Sequence, residues 1–179
     1  MVRTEVTIAG VGGQGSILAG MMLGKAAVAY DGKHATHTQA YSSELRGGFA
    51  AAWVVISDEP VEYPRVIHPD IIVAQAQDSI DRFAATLKPE GVLIIDSDMV
   101  TKVPETIRNI YRIPATSIAR NTVKEPVTAN IVMLGALCKC TGIVSRTGIE
   151  AAIAEMVPKG KEGKNKDAFQ LGYEKVISE

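Results

Sequence analysis

The residues Val6-Thr7-Ile8-Ala9-Gly10-Val11-Gly12-Gly13-Gln14-Gly15 constrain this chain more than any other stretch, because they join a strand to a helix through a glycine turn. The β-branched run Val6, Thr7, Ile8 favours extended backbone. Gly10, Gly12 and Gly15 follow it in the spacing G-x-G-x-x-G, and a helical run begins at Ser16 and continues to about Tyr30. Glycines there permit positive φ and remove Cβ atoms, so the chain can turn tightly while N–H groups at the helix start face one point. Such a point suits an anion. The same pattern also serves as a plain tight turn in an α/β core.

The chain has 179 residues, 46% of them hydrophobic, which is enough for one sizeable core and makes a single domain, 1–179, the expectation. Ala, Gly, Val and Ile dominate and aromatics are few, as expected of parallel strands covered by helices on both faces. A formal charge of -1 supplies no global positive field for nucleic acid or an anionic membrane. The amino terminus lacks a basic-then-apolar signal pattern, and no apolar run reaches transmembrane length. A cytoplasmic protein is expected.

A nicotinamide dinucleotide would need an acidic residue at the carboxyl end of the second strand. Asp31-Gly32 instead forms a turn before that strand, roughly Lys33 to Thr38, and Thr36 to Gln39 stand at the relevant edge. The dehydrogenase reading therefore loses most of its weight. Next comes Tyr41-Ser42-Ser43-Glu44-Leu45-Arg46-Gly47-Gly48, a polar loop feeding a buried strand from Phe49 to Ile56. Ser42, Glu44 and Arg46 gather donors, an acceptor and a forked cation, and Gly47 and Gly48 admit close approach. If the second strand runs parallel to the first, this loop and the glycine turn border one crevice.

Further strands are expected at Ile71 to Ala74, at Val92 to Ile95 with Asp96 closing it, and at Ile107 to Ile113. Ser79 is the expected N-cap of a helix from Ile80 to Leu87. The order β then α, repeated, implies an open, mostly parallel, Rossmann-like sheet. The last third reads as helices: one from Thr128 or Asn130 to about Leu137, one from Gly148 to Met156 capped by Thr147, and one from Asp167 to Ile177 after a lysine-rich loop. Helix one is apolar on nearly every side and is expected to be buried all round. Two cysteines, Cys138 and Cys140, are too few for an iron–sulfur cluster or structural zinc site and fit a core role. His34 and His37 fall on opposite faces of their strand, so no metal site is expected.

The Gly10 to Gly15 turn, the Tyr41 to Gly48 loop and the helix from Asn130 to Gly135 together resemble the gamma subunit of 2-oxoacid:ferredoxin oxidoreductases, and the resemblance runs nearly end to end. It implies a multi-subunit enzyme that oxidatively decarboxylates a 2-oxoacid on thiamine diphosphate with magnesium. Such an enzyme passes electrons through iron–sulfur clusters to ferredoxin and transfers the acyl group to coenzyme A. The hard chemistry would then reside on alpha and beta chains and a ferredoxin-like delta chain. No catalytic residue is assigned to this chain and no cofactor is expected to be held firmly by it. Gly10, Gly12, Gly13, Gln14, Gly15, Ser42, Glu44, Arg46 and Gly47 are its candidate binding residues, and 2-oxoglutarate is its candidate oxoacid. The rival is a free-standing nucleotide- or phosphate-binding module. Isolated, the chain is expected to form a homodimer, because helix one would otherwise present a large apolar surface.

Overall fold

A computed structural model describes residues 3–43 and 47–178. Seven strands form one sheet: β1 (Arg3–Val11), β2 (His34–Tyr41), β3 (Phe49–Ser57), β4 (Ile71–Ala74), β5 (Val92–Asp96), β6 (Asn109–Ile113) and β7 (Ile177–Ser178). Their order across the sheet is β2-β3-β1-β4-β5-β6-β7. β1, β4, β5 and β6 are successively parallel, while β3 is antiparallel to both β1 and β2. β2 therefore points the same way as β1. Only β3 and β7 run against the rest, so the sheet is mostly parallel. The β-then-α pattern had no place for the hairpin: the connection from β2 to β3 is too short for a crossover, which forces the reversal.

The helices are α1 (Ser16–Ala29), α2 (Gln77–Phe83), a short α3 (Ala115–Ser117) continuing as a π-helical turn over Ile118–Val123, α4 (Ala129–Thr141), α5 (Arg146–Met156) and α6 (Glu162–Lys175). They divide unequally between the faces. Val6, Ile8, Val54, Ile56, Ile94 and Ile113 belong to the core shared with α1, α4, α5 and α6. Their strand neighbours Ile72, Ala74, Leu93 and Ile95 pack instead with Ile80, Ala84 and Val100 in a smaller core. Alternation along each strand sorts the two sets.

Two close approaches fix the helical layer. A Cβ at Gly172 of α6 would lie 2.8 Å from the carbonyl carbon of Val132 in α4, and one at Gly135 would lie 2.8 Å from the Tyr173 nitrogen. The backbones thus touch where side chains would not fit. α4 is buried continuously from Asn130 to Cys138. An apolar helix buried on every side does exist here, but it is α4. α1 instead exposes Leu18, Met21 and Val28, the last by 52%, because only the sheet and its helical neighbours cover it.

The helix starts also depart from expectation. α2 begins after Ala76, whose side chain offers no cap, and Ser79 is buried within the helix. Ser145, one position before the helix, caps α5 by accepting the Gly148 N–H at 3.0 Å. Thr147 lies inside that helix. Thr128 occupies the N-cap position of α4, but its hydroxyl donates to the Glu125 carbonyl at 2.8 Å and does not cap. α6 starts at Glu162, so much of the lysine-rich stretch is helical. Asp31 accepts the Ser145 N–H at 2.6 Å and also the Ser145 hydroxyl, clamping the end of α1 to the start of α5.

Candidate functional site

The carboxyl ends of β1, β2, β4 and β5 share one edge of the sheet, and the glycine turn stands there between β1 and α1. Gly10 is still within β1, where an added Cβ would lie 2.8 Å from Ser16 Oγ. Gly13 and Gly15 have φ of +95° and +74°, the left-handed region that favours glycine. A Cβ at Gly15 would also lie 2.5 Å from Asn130 Nδ2, whereas one at Gly13 would meet nothing within 4 Å among the described residues. The space above Gly13 is therefore open.

Hydrogen bonds hold the turn from within. The Gln14 side-chain oxygen accepts the Val11 N–H at 2.8 Å, and its Nε2 donates to the Gln75 carbonyl at 3.0 Å. Gln75 returns the contact: its Nε2 donates to the Gln14 carbonyl at 3.1 Å, and its Oε1 accepts the Ser16 hydroxyl at 2.7 Å. Gln75 directly follows β4, so the parallel pairing of β4 with β1 delivers it to the turn. Asn130, at the start of α4, donates to the Gly15 carbonyl at 3.2 Å. The amide of Gln14 is thus engaged in building the turn.

The loop after β2 reaches the same place. The Gly12 N–H donates to the Gly48 carbonyl at 2.7 Å, and the Ser42 N–H donates to the Phe49 carbonyl at 2.9 Å. Gly47 has φ of +74° with nothing among the described residues within 4 Å of an added Cβ. The two stretches singled out from the sequence are therefore joined by a direct backbone bond. Glu44, Leu45 and Arg46 lie outside the described residues. Gly12 and Gln14 turn their N–H groups to internal carbonyls, so the anion-facing character of the turn rests on Gly13 and the first turn of α1, which no side chain caps.

Sequence reasoning missed Gln75 and the role of Asn130. A polar residue right after a buried strand was the available signal for Gln75. Asn130 is 3% exposed and its Oδ1 is buried without a hydrogen-bond partner among the described residues. Farther along the edge, Asp96 at the end of β5 accepts the Thr116 hydroxyl at 2.6 Å, the Thr116 N–H at 3.1 Å and the Asp98 N–H at 3.1 Å. Burial outweighs these bonds and raises its pKa above the ordinary carboxylate value. Burial likewise pushes the Cys138 and Cys140 thiols up to about 11, which leaves them protonated and unreactive near neutral pH. Among the described residues no group of three or more His, Cys, Asp or Glu could hold a metal ion. No helix of the described residues is long and apolar enough to cross a membrane. What the edge offers is amides, hydroxyls and open space over glycine: equipment for binding.

Known proteins resemble this chain over nearly its whole length. The chain is 50% identical to the 2-oxoglutarate synthase subunit KorC of Methanocaldococcus jannaschii, covering 97% of this chain and 94% of that one. It is 47% identical to KorC of Methanothermobacter marburgensis, over 98% of each chain. The pyruvate synthase subunit PorC of the same organism is 36% identical, over 96% of this chain and 97% of that one. Among solved structures, the gamma subunit of a keto/oxoacid ferredoxin oxidoreductase from Geobacter sulfurreducens superposes with a TM-score of 0.89 at 40% identity, covering 98% of this chain and 97% of that one. With residues 5–175 also matching the profile of the pyruvate ferredoxin/flavodoxin oxidoreductase family, the chain belongs to that family.

Proposed function

We infer that this chain is the gamma-type subunit of a cytoplasmic 2-oxoglutarate:ferredoxin oxidoreductase, which converts 2-oxoglutarate and coenzyme A to succinyl-CoA and carbon dioxide while reducing ferredoxin. The observation that carries the choice of oxoacid is a comparison within one organism. Identity to the 2-oxoglutarate synthase subunit of Methanothermobacter marburgensis is 47%, against 36% for its pyruvate synthase subunit, over nearly equal lengths. Thiamine diphosphate with its magnesium and the iron–sulfur clusters belong, on this reading, to the alpha, beta and ferredoxin-like delta chains. Thiamine diphosphate supplies the carbanion chemistry when bound there.

The part played by this chain is to bind and close. The space above Gly13, open among the described residues, the uncapped start of α1 and the guanidinium that Arg46 brings to the neighbouring loop favour a negatively charged group at this edge, with Ser42, Glu44 and Gly47 as further candidate contacts. Coenzyme A and the surface of the thiamine-binding subunit are the proposed contacts. The isolated chain would pair as a homodimer.

The test is steady-state kinetics of the co-expressed complex. The expected result is co-purification with thiamine- and cluster-carrying chains and a kcat/KM for 2-oxoglutarate at least tenfold above that for pyruvate or a branched-chain oxoacid. A preference for pyruvate would overturn the substrate, and a monomer that purifies alone with bound nucleotide would overturn the enzyme reading. Arg46→Ala is expected to weaken coenzyme A use or assembly by about 1–3 kcal/mol, the scale of a lost charge-assisted contact. Gly12 gives a cleaner probe. A Cβ there would lie 3.6 Å from the Gly48 carbonyl oxygen, an ordinary contact, so Gly12→Ala should fold normally and lose coenzyme A use only if a ligand or partner backbone passes close by.

A further inference from the structure

Gln75 is buried, and its hydrogen bonds all go to β1, the glycine turn and the first residue of α1. Its N–H donates to the Ala9 carbonyl at 2.8 Å, its carbonyl accepts Gln14 Nε2 at 3.0 Å, its Oε1 accepts the Ser16 hydroxyl at 2.7 Å and its Nε2 donates to the Gln14 carbonyl at 3.1 Å. The last of these bonds decides a direction. In a trans peptide the C=O and N–H point opposite ways, so a Gln14 carbonyl turned inward to a buried amide sends the Gly15 N–H outward, to the open edge. The backbone does not settle this by itself: a flip of the Gln14–Gly15 peptide rotates the φ of Gly15, and glycine tolerates either sign. The next peptide differs. The Gly15 carbonyl is held twice, by the Ala19 N–H at 3.0 Å and by Asn130 Nδ2 at 3.2 Å, so the Ser16 N–H takes its direction from the helix. Among the described residues the N–H groups of Gly13, Gly15 and Ser16 donate to no other group of the chain.

We propose that Gln75 is a positioning residue of the anion site at this edge: its side-chain amide holds the Gln14 carbonyl and thereby aims the Gly15 N–H at the negatively charged group. This rests on the reading of the edge as an anion site and names the residue that sets its geometry. Being buried, Gln75 meets no ligand itself. With it in place, the Gly15 N–H joins those of Gly13 and Ser16 as a donor fixed before the anion arrives, so binding spends nothing on ordering it. Without it, the Gln14 carbonyl loses the one donor it has among the described residues and recovers solvation by turning out to the edge. Its oxygen then faces the anion and the Gly15 N–H is withdrawn. An amide 61 residues from the turn thus decides whether this peptide attracts or repels. The position calls for glutamine for a chemical reason. One side chain must donate to the Gln14 carbonyl and accept from the Ser16 hydroxyl; an amide does both, whereas a carboxylate only accepts.

The experiment is a titration of the nitrogen-15-labelled full chain with inorganic pyrophosphate, followed at the amide resonances, on the wild type, Gln75→Glu, Gln75→Met and Asn130→Ala. Both Gln75 variants keep the length of the side chain and remove its donor. In the wild type, pyrophosphate is expected to shift the Gly13, Gly15 and Ser16 amide resonances. In each Gln75 variant the dissociation constant should rise by about tenfold or more, the scale of one hydrogen bond to a charged group, and the Gly15 response should be lost. Asn130→Ala gives up a buried hydrogen bond but leaves the helix to hold the Gly15 carbonyl, so it should lose stability and weaken binding by less than about threefold. In the assembled enzyme Gln75→Glu should raise KM for coenzyme A and leave kcat near the wild-type value. No response in the wild type at about 10 mM, roughly tenfold above a millimolar dissociation constant, would overturn the anion reading and this proposal together. Wild-type binding that the Gln75 variants retain, equal weakening by Asn130→Ala, or a fall in kcat with KM unchanged would overturn the positioning role alone. So would a wild-type response at Gly13 and Ser16 that spares Gly15, an outcome that requires no variant to fold.

Discussion

At the scale of single residues, the glycine turn owes its sequence to contacts inside the chain as much as to any ligand. Gly15 joins a left-handed φ of +74° to a 2.5 Å separation between an added Cβ and Asn130 Nδ2. The backbone term alone makes Gly15→Ala cost about 1–2 kcal/mol, and the overlap adds to it. Urea unfolding should show that loss, and Asn130→Ala in the same chain should recover the steric share while leaving the backbone share. The double-mutant cycle separates the two. If Asn130→Ala recovers nothing, the overlap is relieved by a side-chain shift and the backbone term stands alone.

Among the elements, α4 and α6 are where glycine decides the packing. Helix propensity favours alanine over glycine by about 1 kcal/mol. At Gly172 that gain meets the backbone of Val132 at 2.8–3.0 Å and closer still at its carbonyl oxygen. A backbone cannot turn aside as a rotamer can, so overlap wins. Gly172→Ala is expected to destabilise the protein by about 3 kcal/mol, the upper end for an overpacked core. Gly163, also in α6, has nothing among the described residues within 4 Å of an added Cβ, and Gly163→Ala should stabilise by about 0.5–1 kcal/mol. Opposite signs at two glycines of one helix, read by chemical denaturation, would verify that closeness and not helix propensity governs α6.

The whole molecule registers the charge state of Asp96. Burial raises its folded pKa, while in the unfolded chain it titrates near the ordinary aspartate value of 3.8. Between those two values the folded protein holds a proton that the unfolded chain has released. Stability therefore falls as pH rises through that window and is flat, as far as this residue is concerned, below and above it. Asp96→Asn removes the slope. Unfolding free energies measured from pH 3.5 upward should decline more in the wild type than in Asp96→Asn, and parallel curves would mean that Asp96 titrates normally in the fold. The difference between the two curves isolates Asp96 from carboxylates such as Glu125, whose pKa its hydrogen bond with Lys161 lowers.

The local letters of the chain were sufficient for the strands β4 and β5, the strand–turn–helix at the amino terminus and the family, because β-branched runs, glycine spacing and caps act within a few residues. They also separated Asp31 from a ribose-binding role, since it precedes its strand. Only the tertiary structure decided what each element faces. Pattern alone could not choose between α1 and α4 as the helix enclosed on all sides, as both are apolar around their circumference and enclosure depends on neighbours far along the chain. Nor could it bring Gln75 and Asn130 to the glycine turn: they stand 61 and 115 residues from Gln14 and Gly15, and only parallel pairing of β4 with β1 and the packing of α4 on the sheet close those distances. The reversal of β3 has the same origin. Sequence specifies a strand by side-chain alternation, which is identical in both directions, so direction is left to the length of the connection and the partner across the ladder.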